Sequence, residues 1–167
     1  MKDESQFTDR AIARDAVTWA LPTVERALAQ PGMHASKALH LVVLDPAMLW
    51  GTCRFEEAVL YEHSVGDRTS WESDHAAFAR DKARLSWRHR VNSRLLLQPS
   101  PHLFLHDDRF LWGGVWLDGV VVGASGMLPS WDEACAMVVA VYMRAAALER
   151  PTQSSAAANL PQSVDKL

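Results

Sequence analysis

A few side chains in this chain stand where they could do chemistry, and the first is Arg54. It closes the run ALHLVVLDPAMLWGTCR over residues 38–54 and is followed by Glu56 and Glu57. An arginine delivered to a fixed place can clamp a carboxylate through two parallel hydrogen bonds. The competing reading is a surface ion pair with a neighbouring glutamate. Lys82 falls on a helical stripe with Phe78 and Leu85, so its amine either snorkels to solvent or faces a pocket. Desolvated in a pocket, it could act as an acid, a base or a Schiff-base amine. His75 lies two turns earlier on that stripe and is a candidate general base; its plainer role is a partly buried histidine bonded to backbone. Glu56 is a third group that could move a proton. Gly113 and Gly114 would let backbone approach a ligand closely, with Trp112 and Trp116 as aromatic walls, although a bulged strand start uses glycine equally well.

Other groups of suggestive residues carry less. His102 and His106 form an H-x3-H pair, but Pro99, Pro101 and the Leu103/Leu105 alternation favour an extended segment. There the two imidazoles would stand about 13 Å apart, too far for one metal ion, and no metal site is expected. Arg84, Arg88, Arg90 and Arg94 gather at the end of a helix, where cations offset the helix dipole. Cys53 and Cys135 make neither a disulfide framework nor a metal knuckle and are expected to be reduced, buried space-fillers. Ser125 lies in a hairpin strand, not a strand-to-helix elbow, and is a poor nucleophile candidate.

The elements that must position these groups follow from periodicity and turn chemistry. Residues 9–30 read as a helix that Pro22 should kink or split. Leu39–Asp45 is apolar on both faces and hence a central strand, and residues 49–63 form a second extended stretch antiparallel to it. Thr69 and Glu72 fit a capping box, so a long helix is expected from about residue 70 to 96, with Ala76, Ala79 and Ala83 as a ridge for close packing on a sheet. Residues 110–117 and 120–125 are strands joined at Asp118-Gly119, a strong hairpin signal. Ser130 and Glu133 suggest a second capping box and a helix over 131–149. The tail from Pro151 is small, polar and proline-punctuated and is expected to be disordered. Short turns between consecutive strands imply an α/β, profilin-like layered domain, with a mainly antiparallel sheet flanked by helices, over residues 1–150.

At 167 residues the chain is long enough for one domain with a real core. Its net charge of −3 argues against a dedicated nucleic-acid partner. No apolar run approaches a membrane span, and the polar start MKDESQFTDR lacks the apolar core of a secretory signal, so a cytoplasmic protein is expected. Neither a GxGxxG nor a Walker loop is present.

The order of these motifs resembles the GlcG/HbpS-like family, also described as haem-degrading or PduO C-terminal domains. The residues that carry the resemblance are Val42–Asp45, Arg54 with Ala58, Lys82-Ala83, Gly113-Gly114-Val115, Asp118-Gly119 with 120–126, and Asp132-Glu133. They span about residues 10–149. Glu56-Glu57 replaces the family's aspartate-glycine, Trp116 replaces a proline, and the second glycine turn is shortened to Met127-Leu128-Pro129. The resemblance implies a profilin-like homo-oligomer that binds a small molecule, with haem or a related tetrapyrrole the most specific ligand. Arg54 would then hold a carboxylate, His75 or Lys82 would face the ligand, His75 as an axial ligand of haem, and Trp112, Gly113 and Gly114 would close the pocket. The alternative is an enzyme without a redox cofactor, moving protons on a small carboxylic acid or biosynthetic intermediate through Lys82, Glu56 or His75. The sequence does not choose between the two.

Overall fold

The strand β1 (Leu39–Leu44) is buried at every position, so both of its faces need a cover, and the chain supplies helices for both. The computed structural model describes residues 7–33, 37–97 and 100–150; the expected tail beyond Arg150 lies outside them. Four strands, β1, β2 (Val59–Val65), β3 (Gly114–Leu117) and β4 (Val120–Ser125), form one sheet in the order β2-β1-β4-β3, antiparallel throughout. One face carries Leu39, Leu41, Val43, Val122 and Ala124 against the helices α1 (Arg10–Leu28) and α5 (Pro129–Glu149). The other carries Val42, Leu44 and Val121 against α3 (His75–His89) and a single helical turn, α2 (Phe55–Ala58). This is the layered α/β architecture with a mainly antiparallel sheet that the sequence implies. Among the described residues no helix is long and apolar enough to cross a membrane.

Several boundaries differ from expectation, each for a local reason. Helix α1 runs through Pro22 without splitting. Pro22 and Thr18 are both exposed, so the Thr18 carbonyl that loses its partner opens to water, while Ala20, Val24 and Leu28 continue the buried stripe. The stretch 49–63 is not one strand: Trp50 and Cys53 bridge across a turn, and Phe55 and Ala58 bury themselves as α2 before β2 begins. The long helix starts at His75, because Asp67 captures the backbone N–H and hydroxyl of Thr69 in a 3-10 turn and Asp74 takes the Ala77 N–H as the true cap. It stops at Arg90, which turns left-handed at φ 56°, and Arg94–Leu97 form a separate turn, α4. Asn92 and Ser93 between them are occupied elsewhere, accepting from the backbone N–H groups of Trp116 and Gly114 and so serving the free edge of β3. Residues 110–113 stay outside the sheet, and 101–103 form a 3-10 turn where an extended segment was expected.

The Asp118-Gly119 hairpin is as expected, with φ of 50° and 93° at the two turn residues. The Ser130/Glu133 capping box is not: Leu128 occupies the cap without a side-chain bond, Pro129 starts α5, and Glu133 pairs with Arg94.

Helix α3 lies very close to the sheet. Ala79 and Ala83 are fully buried, and a Cβ at Gly123 would come within 2.2 Å of the Ala79 carbonyl. At Gly114 it would come within 2.0 Å of the Lys82 carbonyl. Both obstacles are backbone, which cannot step aside. Gly123→Ala should therefore destabilise the protein by about 1–3 kcal/mol or more, read as a lowered urea midpoint; an unchanged midpoint would mean that α3 does not sit at this depth.

Candidate functional site

The residues that the sequence puts forward do not converge on one pocket. They divide among a buried ion pair and two clefts, arranged along α3.

Lys82 is 4% exposed and its Nζ donates to the Ala124 carbonyl at 3.0 Å, Ser125 Oγ at 3.2 Å and Asp132 Oδ2 at 2.7 Å. An ammonium has three donors, so this lysine is saturated. It neither snorkels nor opens to a pocket. Asp132 Oδ1 accepts from the Met127 N–H, which ties the pair to the start of α5. Burial drives the Lys82 amine down and the Asp132 carboxyl up to about 6, in each case against the attraction of the other's charge. Gly113, at φ 114°, packs against this pair: a Cβ there would lie 2.8 Å from Asp132 Cβ and 3.0 Å from Lys82 Cδ. Gly113 and Gly114 thus let backbone approach the ion pair and α3. Trp112, just before them, is half-buried. Cys135 is buried nearby, its thiol pushed up to about 12 by desolvation, and its Sγ sits 3.6 Å from Met127 Sδ.

Arg54 and Glu56 lie together beside the C-terminal half of α3. They line a concavity of about 380 Å³ with Trp50, Phe55, Arg84 and Trp87. A second concavity of about 260 Å³ shares Trp50 and Trp87 and adds Trp116 and Asp45. The aromatic floor is fixed by contact: Trp87 meets Trp50 and Phe55 edge-to-face at 5.2 and 6.0 Å, and its indole N–H donates to the Met48 carbonyl. The Arg84 guanidinium lies 4.5 Å over the Phe55 ring and Arg88 stands 5.5 Å over Trp50. Arg54 is the N-cap of α2, not the end of a strand; its backbone N–H donates to Glu57. Its side chain is 79% exposed and touches Glu57 at 3.5 Å, a weak ion pair in water. Cys53 lines this groove half-exposed and is not the buried filler expected of it.

His75, the first residue of α3, stands apart from Arg54. Its ring meets Trp71 edge-to-face at 5.2 Å, and Trp71 meets His40 in the same way at 6.0 Å. Burial, reinforced by the charge of Lys82, lowers the His75 pKa. Beside this stack is a polar cleft of about 660 Å³, lined by His40, Glu62, Ser64, Arg68 and Arg80 among others. His40 Nδ1 is 2.8 Å from Ser64 Oγ and its Nε2 is 3.3 Å from Glu62 Oε1, while Arg80 holds both oxygens of Glu62 at 2.7 Å. The Arg80 hydrogen bonds, strengthened by His40, hold the Glu62 carboxyl at about 2 against its burial. Nothing in local spacing points to this network. A histidine inside the apolar run of β1, opposite the polar alternation Glu62/Ser64, was the available sign.

His102 and His106 lie on the 3-10 turn and the turn after it, and among the described residues no group of three or more histidines, cysteines or carboxylates could hold a metal ion. The arginine cluster is largely paired: Arg84 with Asp81, Arg88 with Asp108 and Arg94 with Glu133.

No family model and no curated protein matches this chain. A solved structure does: Klebsiella pneumoniae protein ORFY, a DUF336 protein, is 17% identical, with 87% of this chain and 97% of that one covered and a TM-score of 0.56. The chain has the fold of a DUF336 protein. At that identity the likeness concerns the architecture, which is the one expected from the GlcG/HbpS resemblance.

Two outcomes follow from the electrostatics. Lys82→Met leaves Asp132 buried without its partner and should cost about 3–5 kcal/mol of stability, part of which Lys82→Met/Asp132→Leu recovers; thermal unfolding of the two variants checks this. Glu62 has a folded-state pKa of about 2, below its ordinary 4.5. Its contribution is therefore complete above pH 4.5 and is lost as the pH falls from there towards 2. The stability gap between the wild type and Glu62→Gln should be flat near neutrality and shrink below pH 4.5; a gap that widened on acidification would reverse the assignment.

Proposed function

We propose that the chain is a small-ligand-binding protein of the GlcG/HbpS type that holds a planar, carboxylate-bearing ligand in the Trp50–Trp87 groove, a tetrapyrrole such as haem being the most specific candidate. The observation that carries this reading is a pair of concavities that share Trp50 and Trp87, one with Arg54 and Arg84 on its rim and the other walled by Trp116. Exposed Trp50 and half-buried Trp116 offer indole surface to a flat ring, with buried Phe55 and Trp87 as their backing, and an exposed guanidinium loosely paired with Glu57 can turn to a carboxylate at little cost. The residues fit a porphyrin's ring and propionates. They do not fit histidine ligation of its iron: no described residue lining the groove is a histidine, and His75 stands at the opposite end of α3. On this reading the ring and its carboxylates supply the affinity, and the metal is incidental.

Titration of tryptophan fluorescence with hemin and with metal-free protoporphyrin IX tests the proposal. Saturable quenching at one ligand per chain is expected for both, weakened about tenfold or more in Arg54→Ala, since charge-assisted bidentate contacts carry about 1.5–3 kcal/mol. Absence of saturable quenching, or binding of hemin alone with dependence on His75, would overturn it.

The alternative, an enzyme without a redox cofactor that moves protons on a small carboxylic acid, has one observation in its favour. Glu56 lines the same concavity as Arg54, so an acid oriented by the arginine would meet a carboxylate base. Thermal stabilisation by small organic acids, with no response to porphyrins, would select it.

A further inference from the structure

The polar cleft at the N-terminal end of α3 contains a chain of groups with a recognisable logic. His40 on β1 and Ser64 on β2 are directly opposed in the antiparallel pair, and Val42 opposes Glu62. The imidazole therefore faces a hydroxyl and a carboxylate on the neighbouring strand. With Glu62 ionised and accepting from Nε2–H at 3.3 Å, Nδ1 is the nitrogen left to accept the Ser64 hydroxyl proton at 2.8 Å. Arg80 locks Glu62 from the far side through both carboxylate oxygens, so the carboxylate cannot swing away. His40 is 4% exposed, while Ser64, half-buried, lines the open cleft with it. A hydroxyl on one ring nitrogen and an ionised carboxylate on the other is what turns a serine into a nucleophile, whatever the fold that presents it.

We propose that Ser64, His40 and Glu62 form a catalytic site for acyl transfer from small carboxylic esters, separate from the aromatic groove. Ser64 Oγ attacks the ester carbonyl as His40 Nδ1 takes its proton, and Glu62 steadies the imidazolium that results. The tetrahedral intermediate collapses, the bond to the alcohol oxygen breaks, and His40 returns the proton to the leaving alkoxide. Water then attacks the acyl-serine with the same imidazole as base, releasing the acid and restoring Ser64. The balance is one ester and one water to one acid and one alcohol. The developing oxyanion is assigned to Arg68, which lines the cleft with its guanidinium 5.1 Å over the Trp71 ring. A side-chain cation is needed for that role because Ser64 lies within the β1–β2 ladder and has no strand-to-helix elbow to supply backbone donors.

The full chain, treated with an alkyl fluorophosphonate and digested, should carry one adduct, on Ser64. It should also hydrolyse p-nitrophenyl acetate. Ser64→Ala should abolish both responses, while Glu62→Gln should keep the label site but slow labelling at least tenfold. Arg68→Ala should slow ester turnover while preserving the fold by circular dichroism. Because Ser64→Ala removes one oxygen from an edge strand, loss of folding is not expected, and Ser64→Cys supplies a second check: its thiol should become acetylated by the ester at position 64. No adduct on Ser64 in the wild type, or turnover that survives Ser64→Ala, would overturn the proposal. Neither result bears on porphyrin binding at the other end of α3.

Discussion

The depth at which α3 sits on the sheet governs the rest of this molecule. Two glycines, Gly114 and Gly123, remove the Cβ atoms that would otherwise strike the carbonyls of Lys82 and Ala79; from the helix, buried Ser86 faces the first and buried Ala79 and Ala83 face the second. With backbone packed on backbone, the large side chains of α3 must leave along its flanks. Arg80, Arg84 and Trp87, four and three residues apart, leave along one flank: Arg80 meets Glu62 towards the start of α3, and Arg84 and Trp87 meet Phe55 and Trp50 towards its end. That flank becomes the wall of both clefts, polar towards the start of α3 and aromatic towards its end. A bulkier contact seam would lift the helix and separate both sets of partners at once.

The same closeness explains a costly arrangement at the sheet's end. Lys82 belongs to a helix on one face, Asp132 to a helix on the other, and they meet beside Gly113. Two buried charges are expensive to desolvate, and the directions of both pKa shifts record that expense. What the pair provides is position. Every donor of the lysine is used, Asp132 spends its second oxygen on the Met127 N–H, and α3 is thereby registered against α5. Apolar contacts alone would allow either helix to slide.

What could be read from the sequence was set by how far apart the interacting residues are in the chain. The central strand β1 was legible because both faces of six consecutive residues are apolar, and the Asp118-Gly119 turn because two adjacent residues must adopt positive φ. The start of α3 was misplaced because Thr69 has two competing partners, and Asp67, two residues away, wins over Glu72. The fate of Lys82 was hidden because Asp132 lies 50 residues downstream, and helical periodicity contains no trace of it. Arg54 was expected in an extended stretch and is instead the N-cap of α2, and its groove was hidden because Trp87 comes from another element altogether. The His40–Ser64–Glu62 chain depends on strand register, which a bulge between Val43 and Leu44 further obscures.

The strand order also has a kinetic side. Leu44 meets Val59 and Leu117 meets Val120 within short loops, whereas Val43 and Val122, which pair at the centre of the sheet, are separated by most of the domain. Closing that longest loop first would carry the largest entropic cost. The two outer ladders close short loops, whereas the seam that joins them lies under α3 and α5, both of which lean on β4. By loop entropy alone, the costliest pairing in this sheet is therefore the one at its centre, on which the packing of both helix layers depends.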